Sequence, residues 1–280
     1  MKKEKKSELS IEAFSRIRKV FYDKKWPVVD DFDDNIFDKF CQMLSTLSDE
    51  QSNLIIRLTE DFVWVKENEY IKYFSQSFDT FVNNHCFNNR NNIIICPLLA
   101  EDDFGKTKSS TVLLYFVKAR LNSIRTKYGS FSINYVESPE YIEKHLPPNG
   151  YTLCLIDDFV GTGETAASTI DYLIGKGIST DSIAVVSLVC MKQGSNYLLS
   201  KGCRLYSSIE CGKGISDAPI DRQVSLRLME TIEKSIGVCD KFRLGYGASE
   251  ALVKMERTPN NTFPIYWLVN KKNKYAPFPR

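Results

Sequence analysis

Histidine is almost missing from this chain of 280 residues, which has His85 and His145 and no others. With so few imidazoles a zinc site is not expected. Cysteine is present, at positions 41, 86, 96, 154, 190, 203, 211 and 239, but no two form a Cys-x-x-Cys pair. Several lie inside apolar runs, the pattern of buried reduced thiols in a cytoplasmic protein. No apolar run approaches the roughly 20 residues needed to span a bilayer. Met1–Ser10 is Lys-rich without the apolar core of a signal peptide, so secretion is not expected. A strong net charge is also lacking: the balance is +2, which gives no general affinity for polyanions. It is unevenly spread, because residues 241–280 hold eight Lys and Arg against two Glu and leave 1–240 net acidic. That basic end could meet phosphates of a ligand or a nucleic acid, or be a solvated Lys-rich surface.

The remaining composition, 43% apolar and 26% charged, is that of an ordinary globular chain with length for one large domain or two modest ones. From Ser10 to about Asn89 the pattern is helical. Ile11, Phe14, Ile17, Val20 and Phe21 recur at helical spacing, and Trp26-Pro27 breaks that segment. Ile36, Phe37, Phe40, Met43 and Leu44 form a second apolar face, preceded by the acidic run Asp30–Asp34. Ser48-Asp49-Glu50-Gln51 predicts a capped third helix, and Tyr70–Val82 a fourth. This region shows no chemistry of its own; its aromatics read as core, and it would pack over a sheet domain, form a cap or present an interface.

From residue 91 strands and helices alternate. Ile93–Leu98, Phe131–Val136, Leu153–Ile156, Ile183–Val189 and Cys203–Ile209 read as strands, with helices over 109–127, 165–176, around 194–199 and 219–236. The expectation is a doubly wound, mainly parallel α/β sheet behind an N-terminal helical region, with domains at 1–90 and 91–280 and a C-terminal hood at 241–280. In such a sheet, ligands bind at the carboxyl ends of the strands.

Two strand ends carry chemistry. After the run Leu153–Ile156 come Asp157 and Asp158, then Phe159-Val160, then Gly161-Thr162-Gly163-Glu164-Thr165 entering a helix. A Gly/Thr loop feeding a helix N-terminus offers backbone N–H groups and a positive dipole end to phosphate. The carboxylates beside it would repel a bare phosphate but suit sugar hydroxyls or a divalent cation, so the combination asks for a phosphorylated sugar. Glu164 fits only with its side chain turned outward. One unit earlier, Glu101–Ser110 follows the strand Ile93–Leu98 and brings Lys106, Lys108 and Ser109 to another helix start, a second anion site.

The stretch Asp157–Thr165 resembles the phosphoribosyl-pyrophosphate signature of type I phosphoribosyltransferases. The resemblance implies that Asp157 and Asp158 hold the ribose hydroxyls and that Gly161, Thr162, Gly163, Glu164 and Thr165 wrap the 5′-phosphate. It further implies that Lys106, Lys108 and Ser109 face pyrophosphate, with Mg²⁺ bridging the substrate's oxygens rather than sitting in a protein-ligated site. Asp157, Asp158 and Lys108 would then stand nearest the chemistry. The segment Glu137–Leu146 is shorter than the mobile catalytic loop usual there.

At the C-terminus, Thr258-Pro259-Asn260-Asn261-Thr262 and the aromatics Tyr246, Tyr266 and Trp267 suggest either base-edge hydrogen bonds and stacking or a turn pinned by Asn side chains over an aromatic core. Together with Phe104-Gly105-Lys106 and Lys108-Ser109-Ser110, this ending resembles phosphoribosyltransferase-like effectors of bacterial anti-phage systems, some encoded beside retron reverse transcriptases. A cytoplasmic protein acting on phosphoribosyl pyrophosphate or a nucleotide, with partner proteins from a defence operon and a possible oligomer, is what that likeness implies. The competing reading is a non-catalytic nucleotide sensor or partner-binding module.

Overall fold

The computed structural model describes residues 9–28, 35–88, 90–148 and 150–280; the acidic run Asp30–Asp34 and Asn149 lie outside them. In chain order the helices are α1 (Ile11–Asp23), α2 (Ile36–Leu44), α3 (Asp49–Glu60), α4 (Tyr70–Asn84), α5 (Ser109–Ala119), α6 (Leu121–Lys127), α7 (Glu164–Gly175), α8 (Lys192–Ser200) and α9 (Arg222–Ile236). The strands are β1 (Val63–Trp64), β2 (Asn92–Pro97), β3 (Ser132–Tyr135), β4 (Thr152–Val160), β5 (Ile183–Met191), β6 (Arg204–Cys211) and β7 (Val253–Lys254). They fold into two compact units. One is continuous, Val65–Cys211; the other joins the described residues up to Trp64 with Gly212–Arg280.

The continuous unit is built on a five-stranded sheet in the order β3-β2-β4-β5-β6, every pair parallel. Its strands β4 and β5 are almost wholly buried, which suits their apolar runs Leu153–Ile156 and Ile183–Val186. Crossovers carry the chain from β2 to β3 in one direction and from β4 through β5 to β6 in the other. The order therefore reverses between β2 and β4, and a crevice opens at their carboxyl ends. Ala166, Ala167, Ile170 and Leu173 of α7 and Leu198 of α8 share a core with Leu153, Leu155 and Val185 of the sheet. Helix α4, placed by sequence in the N-terminal region, packs on β5 and β6. Its Ser77 hydroxyl donates to the Ser187 carbonyl at 2.7 Å. The domain line expected at residue 90 thus differs from the division by contacts, which falls at Trp64/Val65.

Two elements are longer or shorter than their patterns suggest. Strand β4 runs on to Val160, four residues past the apolar run, because Asp157, Phe159 and Val160 still pair with Ser187, Val189 and Cys190. The helix expected over 109–127 is interrupted at Arg120, whose φ of −111° and ψ of 7° are not helical.

The second unit has one apolar core shared by α1–α3, α9 and the C-terminal segment. Trp26 and Phe62 lie at its centre: Trp26 meets Phe278 edge-on at 5.8 Å, and Phe62 lies 4.9 Å from Tyr266 and 5.2 Å from Phe278, centroid to centroid. Such pairs add roughly 0.5–1.5 kcal/mol each beyond the area they bury. The Ser48–Gln51 capping box expected at α3 is formed. β1 pairs in parallel with β7.

Two carboxylates inside this unit accept backbone donors where regular pairing is lacking. Glu250 takes the amides of Ile215 and Ser216 at 3.0 and 2.7 Å. Glu233, 1% exposed, takes the Leu244 amide with both oxygens, at 2.9 and 3.1 Å. Burial pushes the Glu233 carboxyl up to about 7, against the opposing pull of the Leu244 amide. Because this pKa is raised on folding, ionisation of Glu233 opposes the folded state. Stability is fully retained below pH 4.5 and is lost as pH rises through about 7. Thermal unfolding at pH 5 and pH 8 checks this: Glu233→Gln should flatten the decline, by up to about 3 kcal/mol, and an unchanged slope would contradict it.

Candidate active site

The carboxyl ends of β2 and β4 bring together two loops and two helix N-termini. Asp157 and Asp158 are consecutive in β4, and their carboxyl groups lie close enough to hydrogen-bond to each other. Asp157 is half-buried, and its Oδ1 accepts the Ser109 hydroxyl at 3.0 Å and the Asp158 amide at 2.9 Å. Asp158 is 4% exposed, and its Oδ2 accepts the Tyr70 hydroxyl at 2.9 Å. Desolvation by burial raises both carboxyls above the ordinary carboxylate range, and at Asp157 the neighbouring Asp158 charge raises it further. The hydroxyls of Ser109 and Tyr70 pull the other way by stabilising the ionised forms.

The loop Gly161–Gly163 follows. Gly163 has a φ of +84°, which suits glycine, and is the N-cap of α7, so the helix begins at Glu164 rather than Thr165. Glu164 and Thr165 are exposed on the first turn, and the Thr162 hydroxyl accepts the Glu164 amide at 3.4 Å. The loop is shaped from behind by α8. A Cβ on Gly194 would come within 2.4 Å of the Gly161 carbonyl oxygen, and one on Gly163 within 3.1 Å of the Gly194 carbonyl oxygen. Gly194 was not distinguishable in the sequence, because the contact joins separate βα units.

The loop after β2 is anchored at its base and open at its tip. The Leu98 carbonyl accepts the Ser110 hydroxyl and the Leu99 carbonyl accepts the Thr169 hydroxyl of α7, both at 2.8 Å. Phe104 meets Tyr172 of α7 edge-on at 5.2 Å. Both lysines turn back on Asp103: Lys108 Nζ lies 2.8 Å from its Oδ1, and Lys106 Nζ lies 3.4 Å from the same atom and donates to the Asp102 carbonyl at 2.6 Å. These ammonium groups, Lys108 foremost, hold the Asp103 carboxyl below its usual range. Ser109, exposed, opens α5 beside Asp157.

In the β3–β4 crossover, Pro139–His145 forms a 3₁₀ helix, and His145 Nδ1 lies 2.8 Å from the Tyr141 carbonyl oxygen of its own turn. In the other unit, the Asn261 amide donates to the Ser249 hydroxyl at 2.9 Å and to the Tyr246 carbonyl at 3.2 Å, while the Asn260 carbonyl takes the Tyr246 amide at 2.8 Å. Tyr266 and Trp267 are buried, and Trp267 Nε1 donates to the Thr262 carbonyl. This is the pinned turn over an aromatic core, one of the two arrangements the sequence allowed.

Among the described residues no group of three or more His, Cys, Asp or Glu side chains comes together. No helix among the described residues is long and apolar enough to cross a membrane.

Parallel sheet, crevice, acidic pair and glycine-threonine loop define a phosphoribosyltransferase-like α/β protein. More narrowly, the chain belongs to the family described as PRTase-CE, whose model matches residues 29–280. No curated protein matches it. Among solved structures it is similar to an orotate phosphoribosyltransferase from Aeropyrum pernix, at 17% identity and a TM-score of 0.34 over 61% of this chain and 77% of that one. It is also similar to a hypothetical protein from Neisseria gonorrhoeae with bound ppGpp, at 14% identity and a TM-score of 0.33 over 60% of this chain and 96% of that one.

The Gly194 contact gives a direct prediction. Gly194→Ala should destabilise the protein by about 1–3 kcal/mol, the usual cost of overpacking. Gly175→Ala, whose Cβ would meet nothing within 4 Å, should be neutral or slightly stabilising. Urea denaturation of the two variants checks the contrast; similar values for both would show that α8 yields.

Proposed function

We propose that the protein binds phosphoribosyl pyrophosphate or a nucleotide 5′-phosphate and catalyses glycosyl transfer or pyrophosphorolysis at C1′. The observation that carries this reading is the placement of Asp157, Asp158 and the Gly161–Thr165 loop at the β2/β4 crevice, with Lys106, Lys108 and Ser109 on the loop beside it. Asp157 and Asp158 orient the ribose, Thr162, Gly163 and Thr165 hold the 5′-phosphate at the α7 N-terminus, and the lysines exchange Asp103 for pyrophosphate. In the forward direction the bond from C1′ to the pyrophosphate oxygen breaks with its electron pair leaving on pyrophosphate, and C1′ gains a bond to the acceptor. An oxocarbenium-like state lies between, so positioning and charge stabilisation do the work and no protein nucleophile is needed. A Mg²⁺ ion entering with the substrate would supply charge neutralisation of the leaving group. The likeness to anti-phage effectors supports a role in conflict between bacteria and phage, with defence-operon proteins as partners.

The short 3₁₀ crossover at Pro139–His145 favours a second reading, a nucleotide sensor that keeps the cradle without turnover. Product analysis with a panel of bases and nucleotides separates the two: turnover supports the enzyme, and tight binding without product the sensor.

Calorimetric titration with phosphoribosyl pyrophosphate and Mg²⁺ should give saturable heat, and its absence in the wild type would remove both readings. Asp157→Asn combined with Asp158→Asn should weaken binding at least tenfold, the scale of lost hydrogen bonds to charged groups. Lys106→Ala with Lys108→Ala should weaken phosphoribosyl pyrophosphate more than ribose 5-phosphate; an equal effect on both would detach the lysines from pyrophosphate.

A further inference from the structure

Helix α4 belongs to the stretch whose sequence shows no chemistry, yet its first residue reaches the acidic pair. Tyr70 is 1% exposed, its hydroxyl donates to Asp158 Oδ2 at 2.9 Å, and its ring meets Phe116 of α5 edge-on at 6.1 Å. The phenol is therefore held by packing between two helices, with little freedom in either side-chain torsion. Its acceptor is unusual for a buried core tyrosine, being one of two adjacent carboxylates at the mouth of the crevice.

The arrangement is paired. Ser109, the first residue of α5, gives its hydroxyl to Asp157 and also stabilises the Asp158 carboxylate, to which Tyr70, the first residue of α4, gives its own hydroxyl. The Asp158 amide links the two by donating to Asp157 Oδ1. Hydroxyl and amide donors, rather than ammonium or guanidinium groups, hold both carboxylates. Such donors fix a carboxylate's torsion without neutralising it, and they leave lone pairs free for a ligand's hydroxyl. A cation in the same place would compete with that role.

Resting on the phosphoribosyl reading above, we propose that Tyr70 is a positioning residue for ribose recognition: it occupies Asp158 Oδ2 and fixes the carboxylate so that Oδ1 is presented to a ribose hydroxyl. The tyrosine does not touch the sugar. Its contribution is selective for ligands that carry one.

The test measures affinity for ribose 5-phosphate and, separately, for inorganic pyrophosphate, each with Mg²⁺, in the full chain. Tyr70→Phe removes only the hydroxyl. It should weaken ribose 5-phosphate roughly tenfold, the scale of one hydrogen bond to a charged group, and leave pyrophosphate unchanged. In an Asp158→Asn background the same substitution should add nothing, since the two positions act as one unit. Unchanged affinity for ribose 5-phosphate in Tyr70→Phe would overturn the proposal, as would equal weakening of both ligands, which marks a packing role. Absence of ribose 5-phosphate binding in the wild type would overturn the phosphoribosyl reading and this inference with it. Should Tyr70→Phe fail to fold, Asp158→Glu displaces the carboxylate from Tyr70 by one methylene while keeping its charge. It should give the same sugar-selective loss, and wild-type affinity there would overturn the proposal.

Discussion

Two like charges at consecutive positions of one strand impose the main constraint on the sheet unit. Burial works against ionisation of both Asp157 and Asp158, the Asp158 charge adds to it at Asp157, and neighbouring elements relieve part of that cost. The two carboxyls also hydrogen-bond to each other, which favours the ionised form of Asp158 at the expense of Asp157. Helices α4 and α5 each begin with a hydroxyl aimed at one carboxylate. The positive ends of those helices face the same way as the acids, which the macrodipole favours. The strand order reverses between β2 and β4, the switch point where open α/β sheets place their ligands. The Gly161–Gly163 loop is shaped from behind by α8, which Gly194 lets pack close to it.

The other unit solves a different problem with the same residue type. Its segment 244–250 includes Leu244, Gly245, Gly247, Ala248 and Glu250 at positive φ, so it cannot pair as a strand or continue as a helix. Backbone amides in and around it still need acceptors. Glu233 and Glu250 supply them as buried carboxylates, and Asn261 supplies donors to the Tyr246 carbonyl and the Ser249 hydroxyl. Gly245 is required there by contact as well as by conformation, since a Cβ would fall 1.9 Å from the Asn261 carbonyl oxygen.

The fold class was legible because buried parallel strands advertise themselves as continuous apolar runs and their helices as amphipathic ones. The Asp157–Thr165 cradle was legible because its parts are contiguous. Reading failed where a decisive contact spans the chain. Tyr70 and Asp158 are 88 residues apart, and nothing local sets Tyr70 apart from the aromatics around it. Gly194 looks like a weak spot in a helix until Gly161 is placed beside it. The end of β4 was misjudged for another reason: two carboxylates look like the end of an apolar strand, but pairing with β5 holds the backbone extended for four more residues. The lysines of the β2 loop were correctly placed beside a helix start, while their attachment to Asp103 depends on a turn that composition does not reveal.

The shared aromatic core of the second unit has a consequence for the order in which the chain acquires structure. Phe62 packs on Phe278, and Thr59 bonds Tyr266 across 207 residues. Helices α1–α3 therefore cannot complete their core until nearly all the chain is available, whereas Val65–Cys211 is continuous and closes on itself. During synthesis the sheet unit can condense first, while the apolar faces of α1–α3 wait exposed for their partner segment. That interval is when this protein is most open to chaperones, and to aggregation if its far end arrives late.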